Sequence, residues 1–234
     1  MPGDDPAQVA SGPTVPDLSD RATARALVKS WRIDLPDRVA AWLASDQGAA
    51  PDPGDPRFAG NRVEVIASAR LSLEAAARAA EAAGIRAALL SDAIEGEARE
   101  VGRVHAALAR EVVLRDRPFA RPVVLLSGGE TTVTVRGPGR GGRNTEFLLA
   151  FALAAEGLPV AALAADTDGI DGSEDNAGAF AGGDTALRLR AGGADPAALL
   201  AANDAWGAFA RLGDLFVTGP TGTNVNDFRA ILCR

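Results

Sequence analysis

Residues Leu71-Ser-Leu-Glu-Ala-Ala-Ala-Arg-Ala-Ala-Glu-Ala-Ala-Gly-Ile-Arg-Ala-Ala-Leu-Leu90 read as a helix and a strand set back to back. Through 71–83 the apolar and charged residues recur at helical spacing, Gly84 is the residue that closes such a helix, and 85–90 is an apolar run of strand length. On the N-terminal side an apolar run at 63–67 reads as another strand, and on the C-terminal side come a helix pattern at 97–112 and a strand at 122–126. This alternation is the rhythm of an α/β sheet. The expected fold is therefore α/β, a three-layer domain with a mixed, mainly parallel sheet.

Further along, 122–126 and 131–135 are separated only by Ser127-Gly-Gly-Glu130, which reads as a hairpin or bend. That spacing is too short for a helical crossover, so the sheet is expected to be mixed. A glycine loop at 137–142 opens a helix at 144–156, and a strand at 159–165 ends in an acidic loop. Small helices at 184–191 and 196–210 lead to a strand at 215–218, a second glycine loop and a last strand at 228–232. Ahead of the sheet, 1–17 is proline- and glycine-rich turn chemistry. Two helices follow, one from a Ser19/Asp20 cap to Trp31 and one from Pro36 to about Ser45, then a linker at 47–60 rich in Pro, Gly and Asp. Val28, Trp31, Val39, Trp42 and Leu43 read as an apolar face lacking a partner.

Composition narrows the function classes. With 47% hydrophobic and 24% charged residues the chain is globular, and no run reaches the ~18 apolar residues of a membrane span. A cytoplasmic protein is the default. A net charge of -7 argues against nucleic acid as a partner. Cys233 and His105 are each the only residue of their type, which disfavours disulfide scaffolds, His-rich zinc sites and most hydrolase triads. His105 reads as a helix-surface or half-buried structural residue, and Trp31, Trp42 and Trp206 as packing residues. Lys29 is the sole lysine and lies outside any glycine loop, so a Walker A loop is excluded and phosphate recognition falls to arginine and backbone amides.

Three loops carry candidate chemistry. Gly137-Pro-Gly-Arg-Gly-Gly142 matches the dinucleotide fingerprint, with Asp166 at the next strand end. Pro138 and Arg140 sit poorly with a pyrophosphate, and a different anion site, built from helix-start amides with Arg140 or Arg143, fits better. A plain turn is the other reading. Asp166-Thr-Asp-Gly-Ile-Asp-Gly-Ser-Glu-Asp175 concentrates five carboxylates where α/β sheets hold ligands, as a metal-organising loop, a base or a solvated acidic turn. Thr218-Gly-Pro-Thr-Gly-Thr-Asn-Val-Asn-Asp227 combines curling glycines with hydroxyl and carboxamide donors suited to a phosphate or polyhydroxy acid. The loops 127–130, 137–143, 166–175 and 218–227 are expected at one edge of the sheet.

Taken in order, Ser127-Gly-Gly-Glu-Thr-Thr-Val133, Gly141-Gly-Arg-Asn-Thr-Glu-Phe147, Thr167-Asp-Gly-Ile-Asp-Gly172 and Gly219-Pro-Thr-Gly-Thr-Asn-Val-Asn-Asp227 resemble the C-terminal MOFRL domain of the class II glycerate 2-kinases, a family widely labelled hydroxypyruvate reductase. Pro2-Gly-Asp-Asp-Pro6 and Ala10-Ser-Gly-Pro-Thr-Val-Pro-Asp17 resemble the end of that family's larger N-terminal domain. The resemblance implies ATP-dependent phosphorylation of D-glycerate to 2-phosphoglycerate with Mg²⁺, in a cleft between two α/β domains. On the matching positions it makes Arg143, Asp168 and Asp171 catalytic, with the two aspartates also holding the metal. Ser11, Gly12, Thr14, Gly128, Gly129, Glu130, Gly141, Gly142, Asn144, Thr221, Gly222, Thr223, Asn224 and Asn226 would contact substrate or phosphate.

The match departs from the family in two ways. Thr145 stands where glutamine is common, and the family's glycine-rich N-terminal strand-loop-helix with its lysine is absent. Residues 1–54 accordingly read as a partial helical remnant of a missing Rossmann-like N-terminal domain, and 55–234 as the α/β part, with the MOFRL domain at about 122–234. Three functions stay open: a kinase acting with a missing domain, an NAD(P)-dependent hydroxypyruvate reductase, and a non-catalytic fragment or partner subunit, with homo-oligomerisation as a further possibility.

Overall fold

The structure, a computed structural model, describes residues 5–9, 12, 14–45, 47 and 51–234. They fall into two compact units, one ending at Ile66 and one running from Ala67 to Arg234. In the first, helix α1 (Arg21–Ser30) is capped by Asp20, which accepts from the Thr23 amide, and α2 is Asp37–Ala44. Arg25 donates to the carbonyls of Leu43 and Ala44, and Arg21 to those of Ser45 and Gln47, so two guanidinium groups satisfy the open C-terminal end of α2. Neither helix contains a buried residue. Trp31, 76% exposed, and Trp42 are thus surface residues and not the packing residues their helical positions suggest.

The second unit opens with α3 (Ala69–Ala82), capped by Ser68, and continues through β1 (Arg86–Glu97), α4 (Ala98–Arg115) and β2 (Val123–Thr132). Then come α5 (Arg143–Ala154), β3 (Val160–Asp166), β4 (Gly178–Gly182), α6 (Thr185–Ala191), α7 (Pro196–Ala201), α8 (Ala205–Leu212), β5 (Leu215–Phe216) and β6 (Asp227–Cys233). The six strands form one sheet in the order β1-β2-β6-β3-β4-β5. Leu73 and Ala77 of α3 pack with Leu126 on one face, while α4 and α5 lie over Val123, Leu125, Ala162, Ala164 and Ile231 on the other. Three layers result, as the helix and strand pattern requires.

The sheet is mixed, but only β1 and β2 are parallel; every other neighbouring pair is antiparallel. The expected parallel majority fails because β6, the last strand, inserts between β2 and β3, and because β4 returns directly against β3. A pattern of short-range signals contains neither fact. The run 63–67 forms no strand and lies exposed. Nor does Ser127-Gly-Gly-Glu130 make a hairpin: it lies inside β2, whose Gly129 has φ +129° and presses so closely on Ile94 that a Cβ would sit 2.2 Å from its carbonyl oxygen. The pairing of β1 is irregular between Leu89 and Ile94, and that irregularity presses into the space the glycine leaves open.

Helix α5 is the hub of this unit. Every residue from Asn144 to Ala152 is buried, so it is enclosed on all sides instead of showing one wet face. Gly102 lets α4 cross it at close range, since a Cβ there would meet the Phe147 carbonyl oxygen at 2.4 Å. His105 is 2% exposed, more deeply placed than its position beside Val104 suggests; Nδ1 faces the Val101 carbonyl at 2.8 Å and Nε2 the Ser127 hydroxyl at 3.0 Å.

Candidate functional site

Strand register builds the site. On β2, β6 and β3 the residues Gly129, Asp227 and Asp166 lie side by side in one row. The ends of these strands therefore bring Ser127–Thr132, the loop after β3 and the loop before β6 to a common edge. The start of α5 lies over the same edge, because Asp171 from the acidic loop accepts from the backbone amides of Asn144, at 2.9 Å, and Thr145, at 2.8 Å.

At the centre is a buried charge cluster. Arg143 donates through Nε to Asp227 Oδ1 at 2.6 Å and through Nη2 to Asp166 Oδ2 at 2.5 Å. Asn144 Nδ2 donates to the same Asp227 Oδ1 at 2.9 Å. The other oxygen of Asp227 accepts from the amide and hydroxyl of Thr131, each at 3.2 Å, and from Arg229. Both side chains of the Asp227–Arg229 pair are fully withdrawn from solvent, whereas Arg143 keeps about a quarter of its side chain exposed. Burial pushes the Asp166 carboxyl up to about 6 against the opposing pull of Arg143. Burial works to lower the Arg143 pKa, yet Asp227 and Asp166 together carry it above its ordinary value.

Arg143 also lines a cleft of about 890 Å³, along with Glu95, Glu130, Thr131, Glu146 and Gly142. The cleft floor is a second network: Arg99 donates to Glu146 Oε1 at 2.8 Å, and Asn203 donates to Glu146 Oε2 at 2.8 Å. Asn203 Oδ1 in turn accepts from the amides of Arg136 and Gly137.

Most amides of the glycine loop are already taken by neighbouring segments. Gly139 N donates to Ala202 O, Arg140 N to Asp204 and Gly142 N to Thr145. With the amides of Arg136 and Gly137 held by Asn203 and none on Pro138, the loop does not offer the row of free N–H groups a pyrophosphate requires. Arg140 stacks on Trp206, 4.0 Å from the ring centroid, and faces Glu174. Of the two arginines, only Arg143 lines the cleft.

The sequence candidates fall into distinct places. Glu130, Gly141, Gly142 and Arg143 line the cleft, while Gly128 and Gly129 are buried in β2 behind it. Asn144 and Asp171 are sealed from solvent and bonded to one another and to the cluster, so they build the site without facing a ligand. Thr221, Gly222, Thr223 and Asn224 are exposed on a loop tied to the acidic loop: Asn224 Nδ2 donates to Asp168 Oδ2 at 3.0 Å, and the Thr221 hydroxyl to Thr167 O at 2.6 Å. Asn226 is buried with φ +67°, and its carbonyl accepts from Thr167. Gly12 and Thr14 belong to the other compact unit, and Ser11 lies outside the described residues.

An Asp168/Asp171 metal pair does not fit this geometry. Both Asp171 oxygens are taken by Asn144 and Thr145, and Asp168 receives the Ile170 amide and Asn224. Among the described residues no three His, Cys, Asp or Glu side chains are grouped to hold a metal ion.

Asp227, Arg229 and Thr131 are the site residues that motif reading passes over. One signal was available: Asp227-Phe-Arg229 puts two opposite charges two residues apart on one face of an otherwise apolar strand, which burial tolerates only as a pair.

Comparison with known proteins places this arrangement. Residues 123–227 match the MOFRL family, and residues 1–44 match a domain of unknown function, DUF4147. Glycerate kinase of Macaca fascicularis is 33% identical over 279 residues, an alignment spanning 99% of this chain and 70% of that protein. The chain belongs to the glycerate kinase family. A protein of this family from Agrobacterium vitis named "Putative hydroxypyruvate reductase" is 49% identical, over 99% of this chain and 53% of its own length. The crystal structure of glycerate kinase from Thermotoga maritima superposes with a TM-score of 0.88 at 36% identity, covering 100% of this chain and 55% of that one. The chain thus spans about half the length of the first curated relatives it matches. No helix among the described residues is long and apolar enough to cross a membrane.

Proposed function

We propose that this chain forms the substrate-anion side of a glycerate 2-kinase, which phosphorylates D-glycerate with ATP to 2-phosphoglycerate. The observation that carries the reading is Arg143, a cation aimed along an open cleft by two buried carboxylates. Its two ion pairs engage two of the five N–H bonds of the guanidinium, leaving three for a carboxylate or phosphate. Phosphoryl transfer depends chiefly on positioning and on neutralising anionic oxygens, and a clamped arginine supplies both. Glu130, in the same cleft, can accept a hydrogen bond from a substrate hydroxyl and draw its proton as a phosphoryl group arrives.

Mg²⁺ in this reading would come with the nucleotide's phosphates, and no step here is routed through it. Asn224 and Thr221 act in this reading by tying their loop to the acidic loop, through Asp168 and the Thr167 carbonyl. Since the chain spans about half of its relatives, the complete activity is proposed for the family's full-length architecture, in the cytoplasm where ATP is supplied.

A hydroxypyruvate reductase is the competing reading, and the A. vitis name favours it. Against it stand the glycine loop, most of whose amides are taken by Ala202, Asn203 and Asp204, and the pairing of Asp166 with Arg143, which takes the carboxylate a dinucleotide ribose would use. A non-catalytic partner subunit is the third.

The deciding experiment incubates a full-length family enzyme carrying this sequence with ATP and D-glycerate, and separately with hydroxypyruvate and NADH or NADPH. Kinase turnover should appear and fall on the order of a hundredfold in Arg143→Ala, the size of an oxyanion-donor deletion. Nicotinamide-dependent turnover without phosphorylation would overturn the reading, and inactivity in both assays would favour the partner-subunit one.

A further inference from the structure

We propose that Asp227 is the positioning residue of this site: touching no ligand itself, it aims the Arg143 guanidinium, and it is held to that task by Arg229 and Thr131. This inference rests on the reading of Arg143 as the anion-binding cation.

Three observations lead to it. First, Asp227 bonds both arginines; Oδ1 receives Arg143 Nε and Asn144, while Oδ2 receives Arg229 and both donors of Thr131. Five donors on two oxygens leave the carboxylate no freedom to rotate. Second, the linkage is rigid at its far end. Thr131 and Asp227 are carried on the neighbouring strands β2 and β6, and Arg229 Nη2 also donates to the Thr131 hydroxyl at 3.1 Å. Third, in the direct ion pairs two arginines meet two aspartates: Arg143 pairs with Asp166 and Asp227, and Arg229 with Asp227.

The geometry separates two jobs that a single arginine usually combines. Nε is committed to Asp227 and fixes the plane of the guanidinium, one Nη2–H is given to Asp166, and three N–H bonds remain for outward tasks. An arginine without that anchor would sample many rotamers and lose binding free energy in ordering one of them. Asp166 alone cannot substitute, because it grips one terminal nitrogen and leaves the plane free to swing.

The test uses the 234-residue chain with 2-phosphoglycerate as probe. Its affinity is measured by calorimetry, and the Arg143 Nε–H resonance, located by its loss in Arg143→Lys, is followed by NMR. In the parent chain that proton should be protected from exchange. A single Asp227→Asn change leaves Arg229 buried without its counter-charge and is prone to unfold the protein. The principal variant is therefore the charge-balanced pair Asp227→Asn with Arg229→Gln, accompanied by Thr131→Val.

The expected result is a double variant that melts cooperatively, loses the Nε–H protection and binds 2-phosphoglycerate at least tenfold more weakly, with Thr131→Val in between. A folded double variant with protected Nε–H and affinity within twofold of the parent would overturn the proposal. Should the double variant not fold, an unchanged Nε–H signal and affinity in Thr131→Val would overturn it equally. If instead Arg143→Lys binds like the parent, the functional reading of Arg143 fails, whereas the Nε–H signal still reports whether Asp227 aims it.

Discussion

Asp171 caps helix α5 from a distant segment: its Oδ2 accepts the backbone amide of Thr145 at 2.8 Å and the Thr145 hydroxyl at 2.9 Å. The helix that carries Arg143 is thus held by the acidic loop, and an aspartate that motif reading assigns to metal binding has a structural task. Asp171→Ala leaves two buried amides without acceptors and should lower unfolding free energy by roughly 2–4 kcal/mol in urea denaturation. Asp171→Asn should lose less, since one oxygen remains. An Mg²⁺ dependence that changes in Asp171→Asn while stability does not would reverse this assignment.

His105 makes the fold sensitive to acid. Burial holds its pKa down at about 4, against an ordinary 6.5, so the folded protein keeps it neutral where the unfolded chain protonates it. The unfolded state binds the extra proton, so stability is fully present above pH 6.5 and is lost as pH falls from there toward 4. One proton gives a slope of about 1.4 kcal/mol per pH unit across that window. Melting temperatures of the parent and His105→Gln between pH 7 and 4 should converge as pH falls; parallel curves would show that His105 does not carry the acid transition.

Asp166 acts in the opposite sense. Its pKa is raised from 3.8 to about 6 by burial, so the folded state holds the proton more tightly than the unfolded chain. The folded-state advantage is complete below pH 3.8 and is lost as pH rises through about 6. The groups facing it are Arg143 from α5, Asp168 from its own loop and Asp227 from β6. A carbon-13 titration of the Asp166 carboxyl should show a midpoint near 6, moving upward in Arg143→Ala, where the opposing positive charge is gone. A midpoint at or below 4 would mean that the ion pair outweighs burial.

Gly102 sets how closely α4 lies on α5. A methyl group there would meet the Phe147 carbonyl oxygen at 2.4 Å, between two helix backbones with little room to yield. Gly102→Ala should destabilise the protein by about 1–3 kcal/mol, although alanine is the better helix former. Equal or greater stability would mean that the helices separate without loss.

Element type was written locally. The 71–83 helix with its Gly84 stop, the helix after the glycine loop and the strand before the acidic loop all depend on periodicity and on neighbouring residues. The family, too, was legible in the order of four loops, because backbone turns and donors are specified by short motifs. The β4 strand was not, since Gly178-Ala-Phe-Ala-Gly182 reads as flexible until β3 lies against it; a Cβ on Gly178 would sit 1.8 Å from the Ala164 carbonyl oxygen.

Only the tertiary structure decided which strands are neighbours, and with them the centre of the site. Arg143 and Asp227 are separated by 84 residues, and Arg143 and Asp166 by 23. No periodicity links them; they meet because β6 slides between β2 and β3 in a register that puts Asp227 beside Asp166. Residue types and turns are local properties of the chain. Pairing of buried charges is a property of the assembled sheet, where low solvent access compels a buried carboxylate to find cations or donors, as Asp227 and Asp166 find Arg143 from far along the sequence.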